Sequence, residues 1–296
     1  MLRIALVAIA LSSLLLASTA AAQNHRSPRL NAESVLLLDS DGRTIFAKNS
    51  DVERAPASLV KLMTLYLAFE TIERGQADPE DIVTVSGHAS TVGRYRMGLR
   101  NGEHVPLRIL LEGVAIASAN DAATAVAEHL AGDEPTFVER MNAKGREMGL
   151  LATRFANANG LPDPLQRTNA KDMAQLIGRL LHDYPASRTL LGGQTFIYRG
   201  RVYARHIPLF HDPLGVQALK TGFTNEAGYN LAVTAWRGGQ EFVMIVLGSR
   251  SRALSFLDAK RLLQFGFVET GLDPPEPERP RSQKKSVRMR RAQATP

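Results

Sequence analysis

The chain of 296 residues contains no cysteine. Disulfides and lipidated cysteines are thereby excluded, and the core must stand without covalent staples. Aromatic residues are scarce at 6%, with one tryptophan. No apolar run reaches the ~20 residues of a membrane-spanning helix; the first, from Ile4 to about Leu16, falls short. A net charge of one sign is also lacking once the ends are set aside. The total is +7, but residues 274–296 hold seven Lys and Arg against two Glu, a net +5, and Arg3 adds one. The remainder, 7 − 5 − 1, is +1 for residues 23–273, so charge makes no case for nucleic-acid binding. There is no G-x-S-x-G pentapeptide of a Ser-His-Asp hydrolase. The one close histidine pair, in "HIPLFHD" (206–212), fits a loop better than a zinc site, which needs converging His and carboxylate ligands.

What is present begins with "MLRIALVAIALSSLLLASTAAAQ". An early Arg3, a short apolar stretch and Ala20-Ala21-Ala22 have the layout of a secretory signal peptide, with cleavage expected after Ala22. The mature chain of 296 − 22 = 274 residues is long enough for a large core of one or two lobes. It is expected to be extracytoplasmic, in a bacterial periplasm or at the cell surface. Residues 274–296 are rich in Pro, Arg and Lys and read as a disordered basic tail. The folded part is expected over residues 23–273.

The patterning within that part changes along the chain. "SVLLLDSDGRTIFAKN" reads as a hairpin around Asp41-Gly42. Helices are expected over 58–74, 105–118, 121–132, 135–150, 169–184 and 253–267, with Asn169 as a cap. Strand patterns fill the stretch from about 194 to 249, the last two joined at Gly238-Gly239. The expected fold is α+β: an antiparallel sheet built from N- and C-terminal segments, flanked by helices, with an all-helical lobe inserted.

Three short signatures carry the chemistry. Ser58-x-x-Lys61 opens a helix, Ser118-Ala119-Asn120 sits at a break between two helices, and Lys220-Thr221-Gly222 lies in an apolar β run. Residues three apart share a helix face, so Lys61 lies below Ser58 on the stripe of Leu65, Ala68 and Ile72. Spacing alone does not discriminate, since "SQKK" (282–285) repeats it within the polar tail. The conjunction of three does. Acyl transfer at neutral pH needs an activated hydroxyl and a neutral base beside it. Burial and a second nearby cation lower a lysine pKa, and Lys61 with Lys220 close by would meet both conditions. The Ser58 N–H at a helix start suits an oxyanion. Ser118 can relay a proton, the Asn120 amide can hold a substrate peptide group, Lys220 and Thr221 can bind a terminal carboxylate, and Gly222 leaves an edge for a substrate strand.

This trio, in this order, is the signature of penicillin-binding proteins and class A β-lactamases. The likeness extends through "ERAPASLVKLMT", "ASANDAATAVAEHLAG", "FVERMNAKGREMGL", "TRFANANGLPD", "TNAKDMAQL" and "LKTGFTNEAGYNLAVTA". Over about residues 31–270 the chain resembles the serine D-alanyl-D-alanine carboxypeptidases, the low-molecular-mass penicillin-binding proteins. The resemblance implies a β-lactamase/transpeptidase-like fold and removal of the terminal D-Ala from peptidoglycan stem pentapeptides, with water and no cofactor. It also implies acylation by β-lactams. Ser58 would be the nucleophile, Lys61 its base, Ser118 and Asn120 assistants, Lys220 and Thr221 the carboxylate site, and the Phe223 N–H the second oxyanion donor. A DD-endopeptidase acting on crosslinks would use the same residues. A class A β-lactamase would carry a Glu-x-x-Leu-Asn string, which is absent. A non-catalytic peptidoglycan-binding module would be expected to lose Ser58 or Lys61. Two segments depart from the family pattern: "TVGRYRMGLRNGE" (91–103) is poorer in Gly and Ser, and "ARHIPLF" stands where Asn is frequent. Many relatives add a β domain and an amphipathic membrane-binding helix; the basic tail offers no apolar face and at most weak membrane contact.

Overall fold

The structure, a computed structural model, describes residues 27–273. The expected signal segment and basic tail lie outside the described residues. Two strands at the N-terminus, β1 (Ser34–Leu38) and β2 (Thr44–Lys48), form the expected hairpin. The chain then enters a 3-10 turn (Ala57–Val60) that runs directly into α1 (Lys61–Glu73). A short ribbon of β3 (Ile82–Thr84) and β4 (His104–Pro106) brackets α2 (Gly87–Thr91). The lobe continues with α3 (Leu107–Glu112), a π turn (Gly113–Ala117), α4 (Asn120–Ala131), α5 (Glu134–Glu147), α6 (Ala170–Asp183) and α7 (Ala186–Gly192). A second ribbon pairs β5 (Thr195–Tyr198) with β6 (Arg201–Ala204). The meander β7 (Val216–Thr224), β8 (Gly228–Arg237), β9 (Gln240–Ser249) and the helix α8 (Arg252–Glu269) complete the fold.

The main sheet has the order β2-β1-β9-β8-β7 and is antiparallel throughout. Its N-terminal hairpin therefore pairs with the C-terminal meander, and the helices between form the inserted lobe, as the α+β reading expects. Both faces of the sheet are covered, which is why "VLLL" and "FVMIVL" are continuous apolar runs rather than alternating ones. Val35, Leu37, Val233, Met244 and Val246 pack against α8 through Phe256, Leu262, Leu263 and Phe267. Leu36, Ala232, Ile245 and Leu247 join the core of the helical lobe. Asp258 on α8 ties the two chain ends together, accepting from the backbone N–H of Asn31 (2.8 Å) and Ala32 (2.7 Å) and from the Asn31 amide.

In the lobe, α1 is apolar on most sides because α4, α5 and α6 surround it. The structure differs from the expected helix boundaries in three places. The segment 105–118 is not one helix: β4 holds its start, and the π turn widens its end before Ser118. The first turn at Ser58 is 3-10 rather than α. The strands β5 and β6 leave the main sheet and form a separate ribbon over the 93–103 loop, fixed by the Tyr203 hydroxyl donating to the Met97 carbonyl at 2.6 Å. A pattern of apolar residues with period two marks a strand but not the sheet it joins.

Candidate active site

Ser58 sits in the second position of the 3-10 turn, half-buried at the base of a cleft. Its N–H stands where no earlier carbonyl of the same helix can reach it. Ala57 before it holds φ +50°, in the left-handed region that costs a non-glycine residue about 1–3 kcal/mol. Neighbours impose that conformation. The Asn230 amide on β8 donates to the carbonyls of Ala55 (3.0 Å) and Pro56 (3.1 Å). Gly160, at φ +85°, passes so close that a β-carbon there would lie 2.2 Å from the Ala57 carbonyl oxygen.

One turn on, Lys61 is fully buried. Its Nζ donates to Ser58 Oγ at 3.2 Å, to Asn120 Oδ1 at 2.7 Å and to the Asn159 carbonyl. Desolvation lowers its pKa to about 7, with the negative charge of Asp121 acting in the opposite direction. The ammonium thus has acceptors for every proton, yet gives one up near neutrality.

Ser118 follows the π turn in the left-handed region, φ +55°, which turns its side chain into the cleft beside Ser58. Lys220, also buried, donates to Ser118 Oγ at 2.7 Å and to the Thr221 carbonyl at 2.9 Å. Burial holds its pKa well below the usual lysine range, with Lys61 and Arg205 adding repulsion. The structure therefore draws Ser58, Lys61, Ser118, Asn120, Lys220, Thr221, Gly222 and Phe223 together at the junction of lobe and sheet. β7, which carries the last four, is an edge strand of the main sheet. Phe223 packs on Tyr229 at a tilt of 32°, with centroids 4.3 Å apart.

Two of these residues act differently from the sequence expectation. The Asn120 amide is already engaged: its Nδ2 donates to the carbonyls of Gly93 (3.0 Å) and Arg94 (2.8 Å) while Oδ1 faces Lys61. It joins the lysine to the cleft loop rather than presenting a free amide to a substrate. At Gly222, the missing side chain makes room for the protein itself. A β-carbon would lie 3.1 Å from the Ser58 nitrogen and 3.2 Å from the Pro56 carbonyl oxygen, so glycine there sets how closely β7 approaches the serine turn.

Four further residues shape the site and escaped the sequence reading. Asp121 is buried and accepts from the N–H groups of Met97, Gly98 and Leu99, pinning the loop 93–99. Asn159 supplies the carbonyl that Lys61 meets. Asn230 braces the turn before Ser58. Arg205 donates to the carbonyls of Gly193, Ala115, Leu219 and Leu191, and burial lowers its pKa to about 10. Asp121 and Asn159 stand inside motifs already singled out, "SAND" and "NANG", but nothing in the sequence pairs them with Lys61.

The cleft has a volume of about 620 Å³ and runs from Ser58 past Ser118 and Thr221 to a rim made by Tyr95, Arg96 and Arg201. Among the described residues, no group of three His, Asp or Glu side chains is placed to hold a metal ion. The arrangement provides a hydroxyl beside a desolvated amine, a second buried lysine bonded to Ser118, and a backbone N–H at a helix start: the requirements of serine acyl transfer.

Comparison with known proteins agrees with that chemistry. The family model for D-alanyl-D-alanine carboxypeptidase matches residues 19–251. The D-alanyl-D-alanine carboxypeptidase DacA of Escherichia coli K12 is 34% identical over 81% of this chain, which spans 62% of that relative's length. The crystal structure of penicillin binding protein 5 from Haemophilus influenzae superposes with a TM-score of 0.79 at 32% identity, covering 82% of this chain and 72% of that one. The D-alanyl-D-alanine endopeptidase of Escherichia coli K12 is 28% identical over 94% of this chain and 90% of its own length. The chain belongs to the D-alanyl-D-alanine carboxypeptidase family, the serine peptidases of the penicillin-binding type.

Proposed function

We propose that the protein is a serine D-Ala-D-Ala carboxypeptidase that trims the terminal D-Ala from peptidoglycan stem pentapeptides. The observation that carries this reading is the contact between a fully desolvated Lys61 and Ser58 Oγ. Neutral Lys61 takes the Ser58 proton as Oγ attacks the carbonyl of the penultimate D-Ala. The Ser58 and Phe223 N–H groups hold the oxyanion. As the tetrahedral intermediate collapses, the C–N bond breaks and the proton Lys61 took from Ser58 passes by way of Ser118 to the leaving amine, leaving Lys61 neutral. The terminal carboxylate lies toward Thr221 and the positive field of Lys220. Water then attacks the ester, giving a proton to Lys61; as the ester C–O bond breaks, Lys61 returns that proton to Ser58 Oγ, and the acid leaves.

No Asp or Glu among the described residues lines the cleft. Lys61, bonded to Ser58 Oγ, is read as the base for deacylation as well, in contrast to a class A β-lactamase with its glutamate-activated water. A β-lactam, whose amide resembles the scissile one, would acylate Ser58 and remain attached. The reading further places residues 1–22 as an export signal, residues 23–273 as the extracytoplasmic catalytic domain and residues 274–296 as a dispensable tail. No helix of the described residues is long and apolar enough to cross a membrane.

A DD-endopeptidase acting on crosslinks is the second reading, favoured by the match of this chain to nearly the full length of such an enzyme. Three measurements test both. Intact mass and a tryptic digest after incubation with penicillin should place one adduct on the peptide holding Ser58; an adduct on Ser118, or none on folded protein, rejects the site. D-Ala release from a pentapeptide should exceed cleavage of a crosslinked dimer, and the reverse order selects the endopeptidase.

A further inference from the structure

The residues lining the cleft include Arg96, Arg201, Arg205 and Arg252, and no carboxylate among the described residues. This concentration is local, since residues 23–273 are nearly neutral overall. Some arginines elsewhere meet acids, as Arg108 does Glu80, Arg188 does Glu241 and Arg237 does Asp273, each at 2.6 Å, and others, such as Arg94 and Arg100, do not. At the mouth none of the four pairs with an acid among the described residues. Arg205 is committed to four backbone carbonyls and holds the floor. Arg96 is exposed and makes neither an ion pair nor a side-chain hydrogen bond among the described residues. Arg201 is exposed and stacks on the Tyr203 ring, its guanidinium carbon 4.9 Å from the centroid. Arg252 lies over Phe256 at 5.5 Å and donates once, to the His206 carbonyl at 2.6 Å. Stacking fixes a guanidinium plane while leaving its donor edge open.

Every substrate of the proposed reaction brings one terminal carboxylate, which lies by Thr221 and Lys220 at the floor. Three further guanidiniums at the mouth exceed what that group needs. Resting on the serine peptidase reading, we infer that Arg96, Arg201 and Arg252 select stem peptides that keep free carboxylates ahead of the terminal D-Ala–D-Ala over peptides in which those carboxyls are amidated. Each carboxylate can take charge-assisted, bidentate bonds from a guanidinium that no protein acid competes for. A cleft lined with one sign of charge also concentrates ligands of the opposite sign. A carboxamide has the same shape and neither advantage.

The test uses two probes, the diacetylated peptide γ-D-glutamyl-lysyl-D-Ala-D-Ala and its D-isoglutaminyl counterpart. D-Ala release is followed for the full chain at low and high salt. The free carboxylate should give at least tenfold higher kcat/KM at low salt, with the difference in KM and shrinking as salt rises. In the Arg96→Gln, Arg201→Gln, Arg252→Gln variant, checked for fold by thermal melting, the ratio between the two peptides should fall toward one. Single variants serve if the triple one is unstable. Penicillin labelling of Ser58 is the control. Labelling with equal use of both peptides overturns this inference alone, as does a preference that survives all three substitutions. Failure of folded wild-type protein to label at Ser58 removes the serine peptidase reading and this inference with it.

Discussion

Lys61 is the proposed base, and its surroundings alter its chemistry. Free in water its amine would be charged at all physiological pH values. In the fold, desolvation brings the pKa to about 7. A base must be neutral to act, so kcat/KM should rise as pH rises through about 7. Asp121 opposes the downward shift, so Asp121→Asn should move the rising limb to lower pH; a limb that stays in place would remove that electrostatic link. The same shift bears on stability. The folded-state pKa lies below the unfolded value of 10.5, so the unfolded chain binds more protons between those two values. Lys61 therefore disfavours folding most below pH 7, and that penalty is relieved as pH rises toward 10.5. Urea denaturation of wild type and Lys61→Met at pH 7 and pH 9 should show a larger alkaline gain where Lys61 is present, the remainder coming from Lys220, whose pKa is also lowered by burial.

At the scale of elements, the site depends on two turns that are not regular α-helix. The 3-10 turn before α1 aims Ser58, and the π turn after α3 frees Ser118. The first is held by a close backbone approach from Gly160, the second by the side chains of Met97 and Ala122 against Gly113. Gly160→Ala would place a β-carbon 2.2 Å from the Ala57 carbonyl oxygen, at a φ that alanine avoids. The conformational term alone costs about 1–3 kcal/mol, and a shift of the serine by ~1 Å would slow acylation about 10²-fold. Stopped-flow acylation with a chromogenic β-lactam reads the rate, and a denaturation midpoint reads the stability. Wild-type behaviour in both would show that the 160 loop does not set the serine turn.

For the molecule as a whole, the sheet joins chain ends more than 200 residues apart, and Asp258 is one of the bonds that hold them. Asp258→Ala leaves the Asn31 and Ala32 N–H groups without their acceptor, a loss of at least about 2 kcal/mol. The test is a urea midpoint; a shift under half that size would put the closure elsewhere, in the β1–β9 ladder. The tail belongs to the same scale. The three motifs and all strands of the main sheet precede residue 274, so removing 274–296 should leave hydrolysis of a soluble pentapeptide unchanged. Activity of the truncated protein, assayed beside liposome sedimentation at low and high salt, decides it. A collapse of activity, or salt-resistant sedimentation that truncation abolishes, would show that the tail is part of the working enzyme.

The sequence by itself was enough to read the class of fold and to nominate the residues of the proposed chemistry. Ser58-x-x-Lys61, Ser118-x-Asn120 and Lys220-Thr221-Gly222 are short local strings, and the switch from helical to strand period is a local signal too. The hairpin at Asp41-Gly42 and the cap at Asn169, whose side chain accepts from Asp172 N–H at 2.8 Å, were legible for the same reason. Helix interruptions were not. Gly113, which opens the π turn at 113–117, packs against Met97, 16 residues away, and no local pattern encodes that contact. The strands β3 and β4 are three residues long, too short for a period to show. Tertiary structure alone decided that Asn120 bridges Lys61 to the loop, that Gly222 clears the serine turn, and that arginines from the 93–99 loop, β6 and α8 line one mouth. Each of these depends on which distant segments share a surface. That is fixed by how the lobe is closed against the sheet, since desolvation and charge act through distances in space and not along the chain.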